Sequence, residues 1–127
     1  MDEQTLLQLI GGGESGTVEF KIKAPRPAEI AERMCGMANS RTGGVIIFGV
    51  ADDNERIVGL KKPNETIDLI LRAARMLKPA LTLRGSGPDI IALDDTTLAV
   101  AQIPQMTAHS TRRAGYSGFA RVRTPFR

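Results

Sequence analysis

The chain has 127 residues, of which 42% are hydrophobic and 24% charged, and this balance predicts one soluble globular domain with its own core. Aromatic residues make up only 4% and tryptophan is absent, which argues against a broad base-stacking platform for single-stranded nucleic acid. The net charge is +3, but no acidic residue follows Asp95, and the last 32 residues carry five arginines. A basic end on a near-neutral body is the charge pattern of a protein that binds polyanions.

The cysteine content and the first ten residues of the chain are typical of a cytoplasmic protein. Cys35 is the single cysteine, so neither an internal disulfide nor a thiolate zinc site can form. Residues 1–10 lack the basic start of a signal peptide, and no apolar run approaches the roughly 20 residues of a membrane span. We therefore expect a cytoplasmic protein that makes no membrane contact.

The first half of the chain predicts helix, strand and helix. Residues 2–10 form a short helix with Asp2 as its cap, ended by three glycines. From Val18 to Lys23 apolar and charged residues alternate strictly, which is typical of a half-buried strand. A helix from Pro27 to Asn39 follows. The predicted buried stripes of this helix consist of Ile30, Ala31, Met34, Cys35, Met37 and Ala38. Its predicted solvent face consists of Glu29, Glu32 and Arg33.

The middle of the chain predicts a central strand. Val45–Val50 is a continuous apolar run, as expected where a sheet is covered by other elements. Gly43 and Gly44 let the preceding helix turn into this strand. After a turn at residues 52–54, Arg56–Leu60 is predicted as the hairpin partner of the central strand. A second main helix begins at Pro63 with Asn64 as its cap and is stopped by Pro79.

The remainder predicts short strands separated by turns. They are placed at Ala80–Leu83, Ile90–Leu93 and Leu98–Ile103, with a loop over residues 104–117 and a last strand over Phe119–Arg123. The order of elements indicates an α+β fold, in which a mixed sheet packs with two main helices as a sandwich. We expect residues 1–127 to be a single domain. The abrupt ending is consistent with the N-terminal part of a longer protein.

Three carboxylates are the candidates for chemistry. Glu19 lies on the charged face of the first predicted strand, Glu14 precedes that strand by a short loop, and Asp52 follows the central strand, with Asp53 beside it. If the two strands are neighbours, these carboxylates converge near Lys21. A hard divalent cation such as Mg²⁺ or Mn²⁺ with a nearby lysine is what phosphodiester cleavage requires. Alternating charges on a solvated strand face explain the same pattern without any site.

Basic residues are the candidates for binding a phosphate backbone. Arginine can contact phosphate oxygens with two parallel hydrogen bonds, and contacts of this kind carry no base readout. Period-two spacing places Arg121 and Arg123 on one side of the last strand. The full predicted set is Lys21, Lys23, Arg41, Arg112, Arg113, Arg121 and Arg123. Binding of this kind requires no cofactor.

Several short motifs together resemble a known family. They are Glu14-Ser15, Glu19-Phe20-Lys21, a helix ending at Ala38-Asn39, Thr42-Gly43-Gly44, Phe48-Gly49-Val50, Asp52, Val58-Gly59-Leu60 and a closing stretch from Tyr116 to Thr124. In this combination the chain resembles the Schlafen-type Alba-like (AlbA_2) domain, found in prokaryotic proteins labelled as DNA-binding proteins or transcriptional regulators. The likeness spans roughly residues 7–125.

The resemblance implies a fold, a function and a candidate site. The fold would be the Alba-like sandwich and the function nucleic-acid binding, to DNA or RNA. In Schlafen ribonucleases two glutamates and an aspartate form a metal-dependent cleavage site, and the matching positions are Glu14, Glu19 and Asp52. The vertebrate enzymes fold two such lobes together with a zinc site. A homodimer of this chain could rebuild the two-lobed cleft, without that zinc.

Three hypotheses of function follow from the sequence. The leading one is a nucleic-acid-binding module, such as a transcriptional regulator, that grips phosphates through a basic face. The second is a metal-dependent ribonuclease that uses Glu14, Glu19 and Asp52 with Mg²⁺ or Mn²⁺. The third is an interaction domain that only dimerises and positions a neighbouring domain. Dependence on salt, on divalent cations and on dimer formation separates them.

Overall fold

The computed structural model describes residues 1–22, 26–51, 56–85 and 87–106, together with the backbone of residues 121–122. Three helices and six strands follow one another in this part of the chain. They are α1 (Glu3–Gly12), β1 (Val18–Lys21), α2 (Pro27–Ala38), β2 (Gly44–Phe48), α3 (Pro63–Arg75), β3 (Leu77–Lys78), β4 (Asp89–Leu93), β5 (Thr96–Ile103) and β6 (Arg121–Val122). The predicted α+β class is confirmed.

The main sheet is mixed and has the strand order β1-β2-β5-β4. β1 runs parallel to β2, with Val18 opposite Val45 and Lys21 opposite Phe48. β5 lies antiparallel to both β2 and β4. A separate two-stranded sheet joins β3 to β6. Within the described elements, β1 and β4 therefore form the two edges of the main sheet.

Both faces of the main sheet are covered. On one face, α2 and α3 pack on Ile46 and Phe48 of β2 and on the alanines of β5. On the other face, α1 packs through Leu6 and Ile10 on Phe20 and Ile47. Successive residues of β2 thus enter opposite cores, and Ile46, Ile47 and Phe48 are fully buried. This confirms the prediction that the central strand is covered, because a strand buried on both sides reads as one apolar run.

The helix boundaries differ in part from the predictions. Asp2 caps α1 as predicted, accepting a hydrogen bond from the Thr5 backbone N–H at 2.8 Å. The helix continues through two glycines and ends only at Gly13, where φ is +80°. α3 begins at Pro63 after Lys62, so the prediction of an Asn64 cap is wrong. It also ends at Arg75, well before Pro79, because Leu77–Lys78 leaves the helix to pair with β6.

Two predicted strands are not strands. Arg56–Leu60 forms no regular strand, but just beyond β2 an isolated antiparallel bridge joins Val50 to Ile57. The Ala51 N–H bonds the Arg56 carbonyl at 2.9 Å, and the Val58 N–H bonds the Gly49 carbonyl at 2.8 Å. Because β1 and β5 occupy both hydrogen-bonding edges of β2, the predicted hairpin pairing is limited to the residues that follow β2. The Leu60 backbone N–H instead bonds the Thr97 carbonyl at 2.8 Å. Residues 80–83 are likewise outside the regular strands.

The buried stripes of α2 match the prediction except at Cys35. Ile30, Ala31, Met34, Met37 and Ala38 are buried, whereas Cys35 is only partly buried, at the margin of the core. In the described residues, no helix is long and apolar enough to cross a membrane.

Candidate functional site

The predicted site residues are only partly described by the structure. Glu14, Glu19, Lys21 and Arg41 have described positions, and Arg121 has a described backbone in β6. The other predicted residues lie outside the described part of the chain: Lys23, Asp52, Arg112, Arg113 and Arg123. The convergence of Asp52 with the two glutamates therefore stays a prediction.

β1 carries the centre of the described site. Val18 and Phe20 point into the core under α1, so the alternating residues Glu19 and Lys21 lie on the opposite face, toward α2. The cross-strand partners of Glu19 and Lys21 are Ile46 and Phe48, which pack under α2 and α3. The edge position of β1 leaves the charged groups at the margin of this core.

Glu19, Lys21 and Arg33 form one ion-pair cluster, the Glu19 cluster. The Nε and Nη2 atoms of Arg33, on α2, both lie 2.5 Å from Oε1 of Glu19. The Nζ atom of Lys21 lies 3.2 Å from Oε2 of the same carboxylate. Each carboxylate oxygen therefore contacts a different cation, and the cluster carries a net charge of +1.

Exposure within the cluster increases from the carboxylate to the cations. The side chain of Glu19 is 12% exposed, that of Lys21 30% and that of Arg33 54%. The acid is thus nearly covered, while the guanidinium remains accessible. Because Nε and Nη2 contact Glu19, the Nη1 group of Arg33 is left to donate outward. The excess positive charge of the cluster accordingly faces solvent.

Arg33 is the member of the Glu19 cluster that is absent from the predicted site residues, although its predicted position on the solvent face of α2 is confirmed. Its position relative to Ile30 and Met37 gave a signal. Those two buried residues lie three positions before it and four after it, and such spacing puts Arg33 at the border of the buried stripe. A residue at that border can reach a neighbouring strand while it still contacts water.

Glu14 has a contact that the sequence did not predict. Its Oε2 accepts a hydrogen bond at 2.7 Å from the backbone N–H of Phe20. That N–H belongs to the peptide between Glu19 and Phe20, so the two predicted glutamates do come close along the chain. The backbone N–H of Ser15 similarly donates to the Val18 carbonyl at 2.9 Å. Glu14 and its neighbour therefore cover the outer edge of β1, where backbone groups lack a strand partner.

The described carboxylates fit a divalent cation only in part. Glu14 keeps one oxygen outside its bond to Phe20, but both oxygens of Glu19 contact cationic side chains. A metal ion would have to displace Lys21 or Arg33 to bind Glu19. In the described ranges, no group of three or more acidic, histidine or cysteine side chains is placed to hold a metal ion. The metal-dependent ribonuclease remains a prediction that depends on Asp52.

Arg41 lies in the tight turn between α2 and β2. The turn is held by Ser40, whose Oγ accepts from the Gly43 N–H at 3.0 Å and donates to the Met37 carbonyl at 2.6 Å. Gly43 has a φ of +76°, which glycine adopts without strain. The side chain of Arg41 is exposed and makes no ion pair with any described residue. Within the described part of the chain, Arg41 is therefore an unpaired cation in the turn before β2.

Comparison with known proteins identifies the family. The sequence model of the family described as Schlafen, AlbA_2 matches residues 14–124. The chain belongs to the Schlafen AlbA_2 family. The matched range begins at Glu14 and includes the Glu19 cluster and the turn at Arg41. A search of curated proteins finds no match.

Solved structures share the fold of this AlbA_2 domain. The solution NMR structure of the N-terminal domain of a Nitrosomonas europaea protein described as RecG-related, an ATP-dependent DNA helicase relative, matches with a TM-score of 0.66 at 23% identity. That match covers 98% of this chain and 89% of the other. The crystal structure of the DIP2311 protein from Corynebacterium diphtheriae matches with a TM-score of 0.55 at 17% identity. It covers 80% of this chain but only 22% of DIP2311, so this chain corresponds to about a fifth of that protein.

Proposed function

We propose that this AlbA_2 domain binds nucleic acid through its phosphate backbone, with the Glu19 cluster as one point of contact. The observation that carries the proposal is the arrangement in which one nearly covered carboxylate orients two cations and leaves a net positive charge at the surface. A guanidinium held in one orientation loses less freedom when it contacts a phosphate than a free one does. The Glu19 cluster thus combines charge with preorganisation.

Arg41 supports a second contact with the same backbone. Arg41 lies in the turn three positions before the first residue of β2, whereas Lys21 lies opposite the last one. The two backbone positions are therefore about one strand length apart, roughly 15 Å at 3.3 Å per residue. Phosphates along one DNA strand are spaced about 3.4 Å apart along the helix axis. A bound strand that contacts both Arg41 and Lys21 would therefore have several phosphates between these two contacts. Such spaced contacts fix position without reading bases.

The comparisons support a role of this class. One similar structure is the N-terminal domain of a protein whose description relates it to a DNA helicase. The +5 charge of the last 32 residues, which is a property of the sequence, adds to the positive potential. Backbone binding without base readout is what we expect from these groups, and a DNA-binding transcriptional regulator is the physiological form we propose.

A homodimer is the finer form of this proposal. Among the described strands, β4 is a free edge of the main sheet, and its Ile90 side chain is 47% exposed. Unpaired strand edges are the usual sites at which two sheets join. Two copies would double the number of backbone contacts. Light scattering at several protein concentrations checks this, and a strictly monomeric mass would contradict the dimer while leaving the binding proposal standing.

The binding proposal is tested by fluorescence anisotropy with labelled duplex DNA and structured RNA over a series of salt concentrations. We expect the logarithm of the binding constant to fall linearly with the logarithm of the salt concentration. Arg33→Gln should reduce the slope of this line by about one, because one fewer counterion is released. Arg72→Gln is the matched control, because Arg72 is also an exposed helical arginine paired with an acid, Asp68 on α3. The absence of any binding to either nucleic acid at low salt would overturn the proposal. A parallel incubation with Mn²⁺ reports cleavage separately.

A further inference from the structure

A second polar site lies on the opposite face of the sheet, beside the end of α1. Here α1 leaves part of the sheet uncovered, and a pocket of about 310 Å³ opens over it. We call it the Val45 pocket. Its lining includes Leu9, Val18, Thr42, Val45, Arg84 and Gln102. Pockets for small organic ligands in proteins begin at about 300 Å³, so the Val45 pocket is at the lower end of that range.

The sheet register explains how the floor of the pocket forms. Val18 of β1 is the cross-strand neighbour of Val45 of β2, and Val45 is the neighbour of Gln102 of β5. These three side chains therefore stand in a row on one face. Leu9 of α1 forms the adjoining wall. The floor is apolar at two positions and ends in a carboxamide.

Two polar side chains of the lining, Gln102 and Arg84, have no partner among the described residues, whereas the Thr42 hydroxyl bonds the Gly43 carbonyl. In the described residues, neither the amide of Gln102 nor the guanidinium of Arg84 makes a side-chain hydrogen bond or ion pair. Arg84 is placed beside Gln102 because its backbone N–H bonds the Gln102 carbonyl at 3.0 Å. None of the described residues that line the pocket is an aspartate or a glutamate. An apolar floor with an unpaired amide and an unpaired cation suits a flat apolar body that carries an anionic group.

We propose that the Val45 pocket takes one unpaired nucleotide of the bound nucleic acid. The base lies on the valine floor, the amide of Gln102 hydrogen-bonds its edge, and Arg84 contacts a phosphate. A carboxamide can donate and accept side by side, which matches the edge of a base. Arg41, next to Thr42 on the rim, carries a further cation for the adjoining phosphate. This inference rests on the proposed function and adds to it a preference for nucleic acid with single-stranded segments.

Binding to a hairpin with an unpaired loop and to a blunt duplex of the same length, measured side by side, tests the pocket. We expect the parent protein to prefer the hairpin. Gln102→Leu, which keeps the volume but removes the amide, should weaken hairpin binding about two- to tenfold and leave duplex binding unchanged. Arg84→Gln should act in the same direction, and circular dichroism checks that both variants fold. Arg72→Gln again serves as the control.

Titration of a mononucleotide and of inorganic phosphate, each followed by methyl NMR, identifies what the pocket binds. The mononucleotide should shift the methyl signals of Val18 and Val45, and phosphate alone should not. The pocket proposal would be overturned if the parent bound hairpin and duplex equally well, or if a mononucleotide did not shift the valine methyl signals. In either case, binding of the parent to the duplex would still support the proposed function. If the parent protein bound neither the hairpin nor the blunt duplex, that result would instead refute the proposed function itself.

Discussion

Arg33 on α2 and Glu19 on β1 are joined by two contacts of 2.5 Å, from Nε and Nη2 to a single carboxylate oxygen, across 14 positions of the sequence. The pair ties the second helix to the edge strand of the sheet. Lys21 completes the cluster from the same strand. A carboxylate shared by two cations neutralises only one of them. The cluster therefore stabilises the fold at the edge of the sheet and leaves positive charge for an anion.

Glu19→Gln tests whether the Glu19 carboxylate only positions Arg33 and Lys21 or is itself required for nucleic-acid binding. The change removes the negative charge, so the local net charge rises by one and the two cations lose their anchor. We expect a loss of about 1.5–3 kcal/mol in the free energy of unfolding, the usual value for a hydrogen bond to a charged group, measured by urea denaturation. In EDTA, nucleic-acid binding should be retained, with a steeper salt dependence. Complete loss of binding in EDTA would show instead that Glu19 itself is required at the interface.

Glu14→Ala tests the carboxylate that covers the outer edge of β1. Without the carboxylate, the Phe20 N–H loses its acceptor, Oε2 of Glu14, and the exchange of that N–H with solvent should accelerate. The free energy of unfolding should fall by about 1 kcal/mol. Glu14→Gln is the control, because the amide oxygen still accepts the same hydrogen bond. Hydrogen exchange measured by NMR compares the two, and equal protection of Phe20 in both variants would contradict this role of Glu14.

The sequence predicted the elements whose signals are local. The alternation over Val18–Lys21, the apolar run at Val45–Val50 and the cap at Asp2 each appear in the structure, because each depends on residues close together in the chain. β1 ends at Lys21, however, and Ile22, which continues the predicted alternation, is exposed. Predictions that depend on pairing were less successful. Nothing near Arg56–Leu60 indicates that β1 and β5 already occupy both edges of β2, so a hairpin was the reasonable expectation.

The candidate site shows the same division. Glu14 and Glu19 are predicted from their spacing, and the structure places Glu19 in β1 and the Glu14 carboxylate, from the loop before β1, on the Phe20 N–H of that strand. Their actual partners, the Phe20 N–H and the Arg33 guanidinium, depend on how the preceding loop and α2 fold back over the strand. Charge patterning along the strand could not supply that information, since a solvated face and an ion-paired face have the same sequence pattern. Tertiary packing decided which of the two was present.

Asp2 gives α1 a dependence on pH. Hydrogen bonds from the Thr5 side chain and, to a lesser extent, from the Thr5 N–H hold the pKa of the Asp2 carboxyl below its ordinary value. A carboxyl with a lowered pKa in the folded protein stabilises that state above the ordinary pKa, and the stabilisation is lost as pH falls through the lowered pKa. We expect Asp2→Ala to reduce the melting temperature at neutral pH, with a difference from the parent that narrows in acid. Asp2→Asn keeps a capping side chain without a charge. The difference in melting temperature between Asp2→Asn and Asp2→Ala should therefore stay the same from neutral to acid pH.

Gly43 and Gly36 form a matched pair for the turn that enters β2. A Cβ at Gly43, where φ is +76°, would lie 2.2 Å from the Ile103 carbonyl oxygen, whereas a Cβ at Gly36 in α2 meets nothing within 4 Å. The strained φ and the clash with backbone together predict a loss of about 2–5 kcal/mol in the free energy of unfolding for Gly43→Ala. Gly36→Ala should instead stabilise by about 0.5–1 kcal/mol, because alanine loses less entropy in a helix. Urea denaturation measures both. If Gly43→Ala proved as stable as the parent, Ile103 and the turn would have to differ from the geometry described, and the rim of the Val45 pocket with them.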